Sequence, residues 1–527
     1  MHRPPARPDL SGRSPATLAA LGGVLAALVG SAAGQLVAAV TDPASAPVLA
    51  VGSTVIDLTP TPVKEWAVSH FGTHDKTILV GSVLVGTLVL AAIAGLIARR
   101  RFVRGAALLV LLVAMAGAAA VRRPTGSAAD LVPAVVTAIV GVVALWLLRR
   151  AADRAGRPTG TDATEPAQSA PAPNRRVFLV GAGVTVVLAA GLAGAGRAIS
   201  VARSRLSDIV LPRAAKPLPP LPAGLERQYP GISALATPNR EFYRVDTNLT
   251  VPVVDQGGWS LVVDGDVARR IELSYDDLLG MPLVEHGITL TCVSNEVGGQ
   301  YVGAARWLGV PLAALMDRAG VDTGNLPSRG QLLSTAVDGF TISTPLDVAL
   351  DGRDTMIAVG MNGAALPREH GFPARLVTPG VYGFVGATKW LTRLTLTSYG
   401  EHRAYWTRRG WATQAPIKIS SRIDTPSPLS RIKPGDHVIG GVAWAQEHGI
   451  ARVEVSIDGG AWRTARLGPD VGIDYWRQWY LPWHAAPGQH ELAVRATSAD
   501  GVVQTPVRAT PFPAGSSGIQ KIVVTAA

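Results

Sequence analysis

A single cysteine, Cys292, stands among 527 residues, and that scarcity excludes several kinds of protein. An internal disulfide needs two thiols, and a covalently attached haem needs a Cys-x-x-Cys-His run that is absent here. A cysteine-held iron–sulfur cluster needs several thiolates. Histidine is missing from every long apolar run, so a haem held between membrane helices has no axial imidazoles there. Charge is sparse, at 17% of residues, and uneven. Up to Arg176 there are 15 Arg and 2 Lys against 9 acidic residues, so +8 of the formal +11 lies in that part. These cations are spaced between apolar runs and do not cluster with aromatics on a folded face, which argues against nucleic-acid binding.

What the first part does contain is apolar sequence. Runs at Ala16–Val40, Thr77–Ala98, Gly105–Val121, Leu131–Leu148 and Val177–Gly196 meet the roughly 17 to 25 residues needed to cross a bilayer. Five transmembrane helices are predicted. The third is short and alanine-rich, so a tilted or interfacial placement stays open for it. The first is too long for a signal-peptide core, and further spans come after it. Arginines set the orientation. Arg3, Arg7 and Arg13, then Arg99, Arg100, Arg101 and Arg104, then Arg149, Arg150, Arg154 and Arg157 all fall on one side when the N-terminus is cytoplasmic. Arg122 and Arg123 stand against that pattern. His70 and His74 fall in the first outer loop. Everything after about Ile199 is then extracytoplasmic.

The chain divides into a four-helix transmembrane region at 1–150, a Pro- and Ala-rich cytoplasmic linker at 151–176, a fifth span at 177–199, a Pro-rich tether at 200–234, an α+β domain at 235–410 and a β-sandwich at 411–527. Arg175 and Arg176, just before the fifth apolar run, resemble a twin-arginine export signal, with ordinary positive-inside flanking as the alternative. In the α+β domain, Trp259–Gly265, Met356–Val359 and Lys389–Leu396 read as strands. Ser274 with Asp277 caps a short helix ending near Gly280, and Pro311–Ala319 forms another stopped by Gly320. In the last part, Ala451–Ile457 and Glu491–Thr497 alternate in polarity and end in Asp458-Gly459-Gly460 and Ala499-Asp500-Gly501 turns. This pattern predicts an immunoglobulin-like sandwich.

Cys292 lies where the strand-like Thr289–Cys292 breaks into the loop Ser294–Gly299. A thiolate at a strand end is a soft ligand for a metal, and a buried cysteine is equally a small hydrophobe. Further motifs bear on the choice. Phe242-Tyr243-Arg244-Val245-Asp246-Thr247-Asn248, Thr289–Gly299, Ala305–Leu312, Met361-Asn362-Gly363, Leu366–Arg375, Pro379-Gly380-Val381 and Lys389-Trp390-Leu391 together resemble the sulfite oxidase family of molybdopterin enzymes. Val442–Ala445 and Val453–Gly460 resemble that family's dimerisation domain.

The resemblance implies a molybdenum–molybdopterin cofactor with Cys292 as the protein's metal ligand. It implies cofactor contacts from Asp246, Thr247, Asn248, Asp338, His370, Arg375, Ala387, Thr388 and Lys389, where cations would meet the pterin phosphate. Glu296 and Tyr301 join Cys292 as candidate catalytic residues, although structural roles for Glu296, Tyr301 and Asp338 stand beside those assignments. Arg306 is either a site residue or half of an ion pair. Sulfite oxidases place arginines shortly after the metal cysteine, whereas this chain has Glu296 and Val297. The site tyrosine is replaced by Phe340, and an arginine by Asp246. Fewer cations and an added carboxylate disfavour a small dianion such as sulfite.

The expectation is a membrane-anchored extracytoplasmic oxidoreductase transferring two electrons, with an oxygen atom, to or from a small sulfur or nitrogen compound. An envelope sulfoxide-type reductase on the same fold and a non-enzymatic binding protein with a degenerate cofactor domain are the alternatives. The expected partners are a small-molecule substrate, a separate cytochrome or quinone-linked redox protein, membrane lipid and a second copy in a homodimer.

Overall fold

The structure, a computed structural model, describes residues 15–60, 63, 66–67, 70–71, 75–155, 173–204, 209–322 and 330–527. Arg3, Arg7, Arg13, His74, Arg157 and the linker at 156–172 lie outside the described residues. The chain forms two compact units, Met1–Arg205 with Thr247–Pro252, and Leu206–Asp246 with Val253–Ala527.

The first unit is helical: α1 (Pro15–Val40), α2 (Pro47–Leu58), α3 (Asp75–Arg100), α4 (Phe102–Val121), α5 (Val132–Ala155) and α6 (Pro173–Ser204). All but α2 are long and apolar enough to cross a membrane, in line with the five predicted spans. α2 has only 12 residues and begins at Pro47, where the missing proline N–H costs no helix bond. α1 crosses α3 at Gly23 and Gly95, where a Cβ on either glycine would collide with the carbonyl oxygen of Ala91 or Ala19. Without a solvent-driven hydrophobic effect inside a bilayer, such close backbone approach is the main source of helix–helix attraction. α6 begins at Pro173, ahead of the predicted Val177, so Arg175 and Arg176 fall within its first turn.

Arginines 99, 100, 101 and 104 at the α3–α4 junction, with Arg149 and Arg150 near the end of α5, share one end of the bundle. At the other end Arg123 bonds Asp42 Oδ2 at 2.6 Å and lies 3.4 Å from Asp130 Oδ2. One of the two arginines that broke the charge pattern, Arg123, is thus neutralised by two carboxylates.

The second unit carries one mixed sheet, one antiparallel sheet and a sandwich. Its strands are β1 (Ser260–Gly265), β2 (Ile271–Ser274), β3 (Val284–Thr291), β4 (Val302–Pro311), β5 (Gly330–Ala336), β6 (Thr341–Pro345), β7 (Met356–Met361), β8 (Ala364–Ala365), β9 (Arg375–Val377) and β10 (Leu391–Ser398). They form sheets in the orders β2-β1-β10-β5-β6 and β3-β4-β7-β8, with β9 added to β7. β10 starts two residues later than predicted because Trp390 has φ 51°, which breaks extended backbone and turns Lys389 out of the strand. The capping box at Ser274 and Asp277 and the left-handed stop at Gly320 form as expected.

The C-terminal strands are β11 (Ser420–Thr425), β12 (Arg431–Ile432), β13 (Gly435–Trp444), β14 (Ile450–Ile457), β15 (Arg463–Thr464), β16 (Arg466–Leu467), β17 (Arg477–Ala485), β18 (Gly488–Ser498) and β19 (Gln520–Ala526). They make two sheets, β11-β13-β17-β16 and β12-β19-β18-β14-β15. Inward residues of both, including Ile439, Trp479, Leu481, Val453, Val455, Leu492, Val494 and Val524, share one apolar core, as alternation in facing sheets requires. The segment expected to be a tether does not hang free. Ala215 N–H donates to the Leu283 carbonyl at 2.7 Å, Leu218 N–H reaches Glu285 Oε2 at 2.9 Å, and the Arg306 guanidinium donates to the Pro219 carbonyl.

Candidate active site

β3 delivers Cys292, which comes directly after its last residue. The cysteine is buried, its N–H donates to the Tyr301 carbonyl at 2.9 Å, and its own carbonyl accepts the Asn295 N–H at 3.0 Å. Burial pushes the thiol pKa up, against hydrogen bonds from Ser294 and the nearby Lys389 charge. Two tyrosines feel the Cys292 charge. Burial holds Tyr243 well above the usual phenol range, and pushes Tyr382 up to about 12.

A cationic pocket is assembled from Arg375 and Lys389, close in sequence, with Trp307 and Asp246 brought to them from distant parts of the chain. Arg375 opens β9, 5% exposed. Its guanidinium carbon lies 4.9 Å from the Trp307 ring centroid, and its terminal nitrogens donate to the His370 carbonyl at 3.1 Å and the Ala387 carbonyl at 3.4 Å. Its Nε is buried with no protein partner. Lys389 precedes β10 and donates to Asp246 Oδ2 at 2.9 Å and the Glu369 carbonyl at 3.3 Å. Gly371, at φ 111°, permits this convergence, because a Cβ there would sit 3.0 Å from Lys389 Cα. Desolvation lowers the pKa of Arg375 to about 10 and that of Lys389 to about 8, with Tyr243 and Asp246 respectively opposing it. Buried cations with lowered pKa values and an unpaired N–H suit an anionic group that would restore their hydration energy. A pterin phosphate fits that donor set.

His370 ends a helical turn at Arg368–His370 and is 3% exposed. Its Nε2 lies 2.7 Å from the Asn239 carbonyl, so that nitrogen carries the proton. Burial depresses its pKa to about 4, with Arg375 and Lys389 adding to the effect. The folded value lies below the unfolded one of about 6.5. As pH falls from about 6.5 toward 4 the unfolded chain therefore takes up a proton that the native state refuses, and stability falls. In the cofactor-free protein this contributes about 3 kcal/mol of acid destabilisation over that window. Urea titrations at pH 7 and pH 4.5 should show the loss in wild type and a flatter dependence in His370→Asn.

The remaining predicted residues divide between this pocket and its surroundings. Thr388 is fully buried, its hydroxyl 2.6 Å from that of Ser334, and Ala387 offers its carbonyl to Arg375. Asp246 is shared between Lys389 and Arg244, at 2.9 and 2.8 Å. Thr247 and Asn248 belong to the helical unit, where the Asn248 carbonyl accepts from Lys76 Nζ at 2.7 Å. Asp338 caps the β5–β6 turn, accepting the Phe340 N–H at 3.0 Å. Glu296 is exposed on the turn after Cys292, and the Tyr301 ring lies 6.4 Å from that of Tyr243. Phe340 packs on Tyr405 at 5.1 Å.

Asn239, Tyr243 and Tyr382 extend the site beyond the set expected from sequence. Asn239 also bonds Asn362, whose side chain ties the Asn362-Gly363 turn to the Thr237 carbonyl and the Arg306 N–H. Tyr243 lies within the Phe242–Asn248 motif. The positions of Asn239 and Tyr382 depend on long-range packing that carries no local signal.

A buried cysteine at a strand end beside a desolvated cationic pocket suits a soft metal held with an anionic cofactor, and comparison with known proteins points to such a domain. The family pattern described as "Oxidoreductase molybdopterin binding domain" matches residues 248–406. The chain is 31% identical over 307 residues to mitochondrial sulfite oxidase of Homo sapiens, covering 50% of this chain and 56% of that one. It is 29% identical over 316 residues to sulfite oxidase of Gallus gallus, covering 51% and 68%. The crystal structure of the sulfane dehydrogenase SoxCD from Paracoccus pantotrophus aligns with TM-score 0.48 and 25% identity, over 55% of this chain and 83% of that chain. Over about half its length the chain is thus similar to sulfite oxidases, and residues 248–406 match a molybdopterin-binding oxidoreductase domain. It spans about half the length of the mammalian relatives it matches.

Proposed function

We propose that this protein is a membrane-anchored, extracytoplasmic molybdopterin-dependent oxidoreductase. It transfers two electrons, with an oxygen atom, to or from a small neutral sulfur or nitrogen compound. The observation that carries the proposal is the buried Arg375–Lys389–His370 pocket, with its unpaired Arg375 Nε, in a domain that also buries Cys292 at a strand end. When bound, the cofactor supplies the two-electron couple and the site of oxygen exchange. Cys292 would be the protein's thiolate ligand to a metal otherwise held by the soft sulfur donors of the pterin.

Arg375 and Lys389 bind the phosphate end, and His370, Ala387 and Thr388 shape the pterin pocket. Tyr243 and Tyr382 are protonated at neutral pH, as phenols ordinarily are, and burial moves them further from ionisation, so each can act as a hydrogen-bond donor toward a substrate oxygen. The loop after Cys292 carries Glu296 and no cation of its own, which favours a neutral substrate over a dianion. Glu296 orients the substrate or a proton. The same feature favours a second direction of reaction, reduction of a sulfoxide-type compound.

The arginine-rich end of the helical unit is cytoplasmic by the positive-inside rule. α6 leaves from that end, so the chain beyond α6 is extracytoplasmic. Electrons leave or arrive through a separate cytochrome or quinone-linked protein, and the immunoglobulin-like sandwich supports a homodimer.

Expression in a molybdenum-cofactor-competent bacterium should yield about one molybdenum and one pterin per polypeptide. Reduced and oxidised dyes, offered with candidate substrates, then give the direction. A folded chain carrying neither metal nor pterin would end the oxidoreductase proposal in favour of a binding protein.

A further inference from the structure

β3 is the outer strand of its sheet, with β4 as its neighbour among the described strands, and an outer strand leaves one row of backbone groups in need of partners. Thr289, three residues before Cys292 and fully buried, has those needs met by the C-terminal domain. Its N–H donates to the Asp474 carbonyl at 2.9 Å, its carbonyl accepts from Gln446 Nε2 at 3.0 Å, and its hydroxyl accepts the Trp476 N–H at 2.8 Å. The same domain grips the chain on the other side of the cysteine. Ser516 Oγ donates to the Asn295 carbonyl at 2.6 Å, and Arg422 donates to the Gly299 carbonyl at 2.9 Å. A Cβ on Gly298 would meet the Gln520 amide at 2.6 Å. All these donors and acceptors lie beyond residues 248–406, the span of the matched family domain.

We infer that the C-terminal sandwich positions Cys292, clamping the strand before it at Thr289 and the loop after it at Asn295 and Gly299. Thr289, Gln446 and Ser516 are positioning residues. A metal ligand has to be held within about 0.5 Å of its working place, and only packed, hydrogen-bonded support does this. A cysteine at the very end of an outer strand has one bond from its own sheet side, its N–H to the Tyr301 carbonyl, and takes the rest of its support from outside that sheet. The bearing of the clamp on turnover rests on Cys292 as metal ligand; the clamp itself does not.

Because Cys292 is the sole cysteine, alkylation by iodoacetamide reports on this one site in the full-length, cofactor-free chain. Wild type should label slowly. Thr289→Val keeps the shape and loses the hydroxyl acceptor, and Ser516→Ala loses the donor to Asn295. Each should label about tenfold faster, the factor for losing about 1.4 kcal/mol of closure, while the thermal midpoint stays near wild type. Thr289→Ser, which restores the hydroxyl, should return the rate to that of wild type. Val502→Ser, at an exposed position of the same domain, should leave it unchanged. Wild-type labelling rates in both Thr289→Val and Ser516→Ala would overturn the inference, as would fast labelling in Thr289→Ser. Should Thr289→Val fail to fold, Ser516→Ala and Gln446→Ala decide by the same rates. No metal enters the measurement, so loss of the oxidoreductase proposal would leave the outcome readable.

Discussion

Cys292→Ser is expected to give a folded chain that holds little molybdenum and turns over more than 100-fold more slowly than wild type, a larger loss than removal of an outer-shell partner of a metal site typically causes. Serine matches cysteine in shape, and the bonds that fix the backbone, Cys292 N–H to Tyr301 and Asn295 N–H to Cys292, do not involve the side chain. The change therefore falls on chemistry alone. A serine hydroxyl is a hard donor that gives up its proton far less readily than a thiol, whereas a thiolate binds a soft, redox-active metal well. In the cofactor-free protein burial keeps the thiol protonated, so loading expels a proton and metal uptake should improve as pH rises. Molybdenum and pterin per polypeptide, measured beside circular dichroism and the thermal midpoint, check the expectation. Wild-type metal content and turnover in the serine variant would remove Cys292 from the site.

How much of this site is legible in the residues alone depends on where each residue gets its position. His370 and Arg375 sit within one run and Lys389 comes shortly after it, so their convergence is legible once the motif is recognised. The five helices long and apolar enough to cross a membrane are legible because length and apolarity are local properties. The C-terminal strands are legible because alternation is too. Asn239 and Tyr382 are not: each stands just outside a recognised motif, Phe242–Asn248 and Pro379-Gly380-Val381, and only the folded chain brings Asn239 to His370 and Tyr382 to Cys292. The Asp246–Asn248 run looks like one unit in sequence, yet the chain leaves the catalytic unit after Asp246 and returns at Val253. The tether looks like a spacer because proline-rich extension is indifferent to partners, and its bonds to Leu283, just before β3, and to Glu285 within it come from the edge strand it happens to meet.

Arg375→Met should separate what the pocket does for the cofactor from what it does for the fold. Removal of a bidentate, charge-assisted donor to a phosphate costs about 1.5–3 kcal/mol of binding, or roughly 10- to 100-fold in cofactor retention. The effect on the empty protein is of another kind. There the guanidinium is desolvated, its Nε has no partner, and burial has already lowered its pKa to about 10. Methionine relieves that strain and keeps contact with the Trp307 ring, but it strands the His370 and Ala387 carbonyls that Arg375 now serves. These terms oppose each other, so cofactor-free stability should move by no more than about 1 kcal/mol. Wild type and variant should therefore share a denaturation midpoint when empty and differ clearly when loaded, the gap widening with cofactor supplied. Equal loss of stability in both states would mark Arg375 as a structural cation, and the anion that the pocket is built to hold would have to be sought elsewhere in the chain.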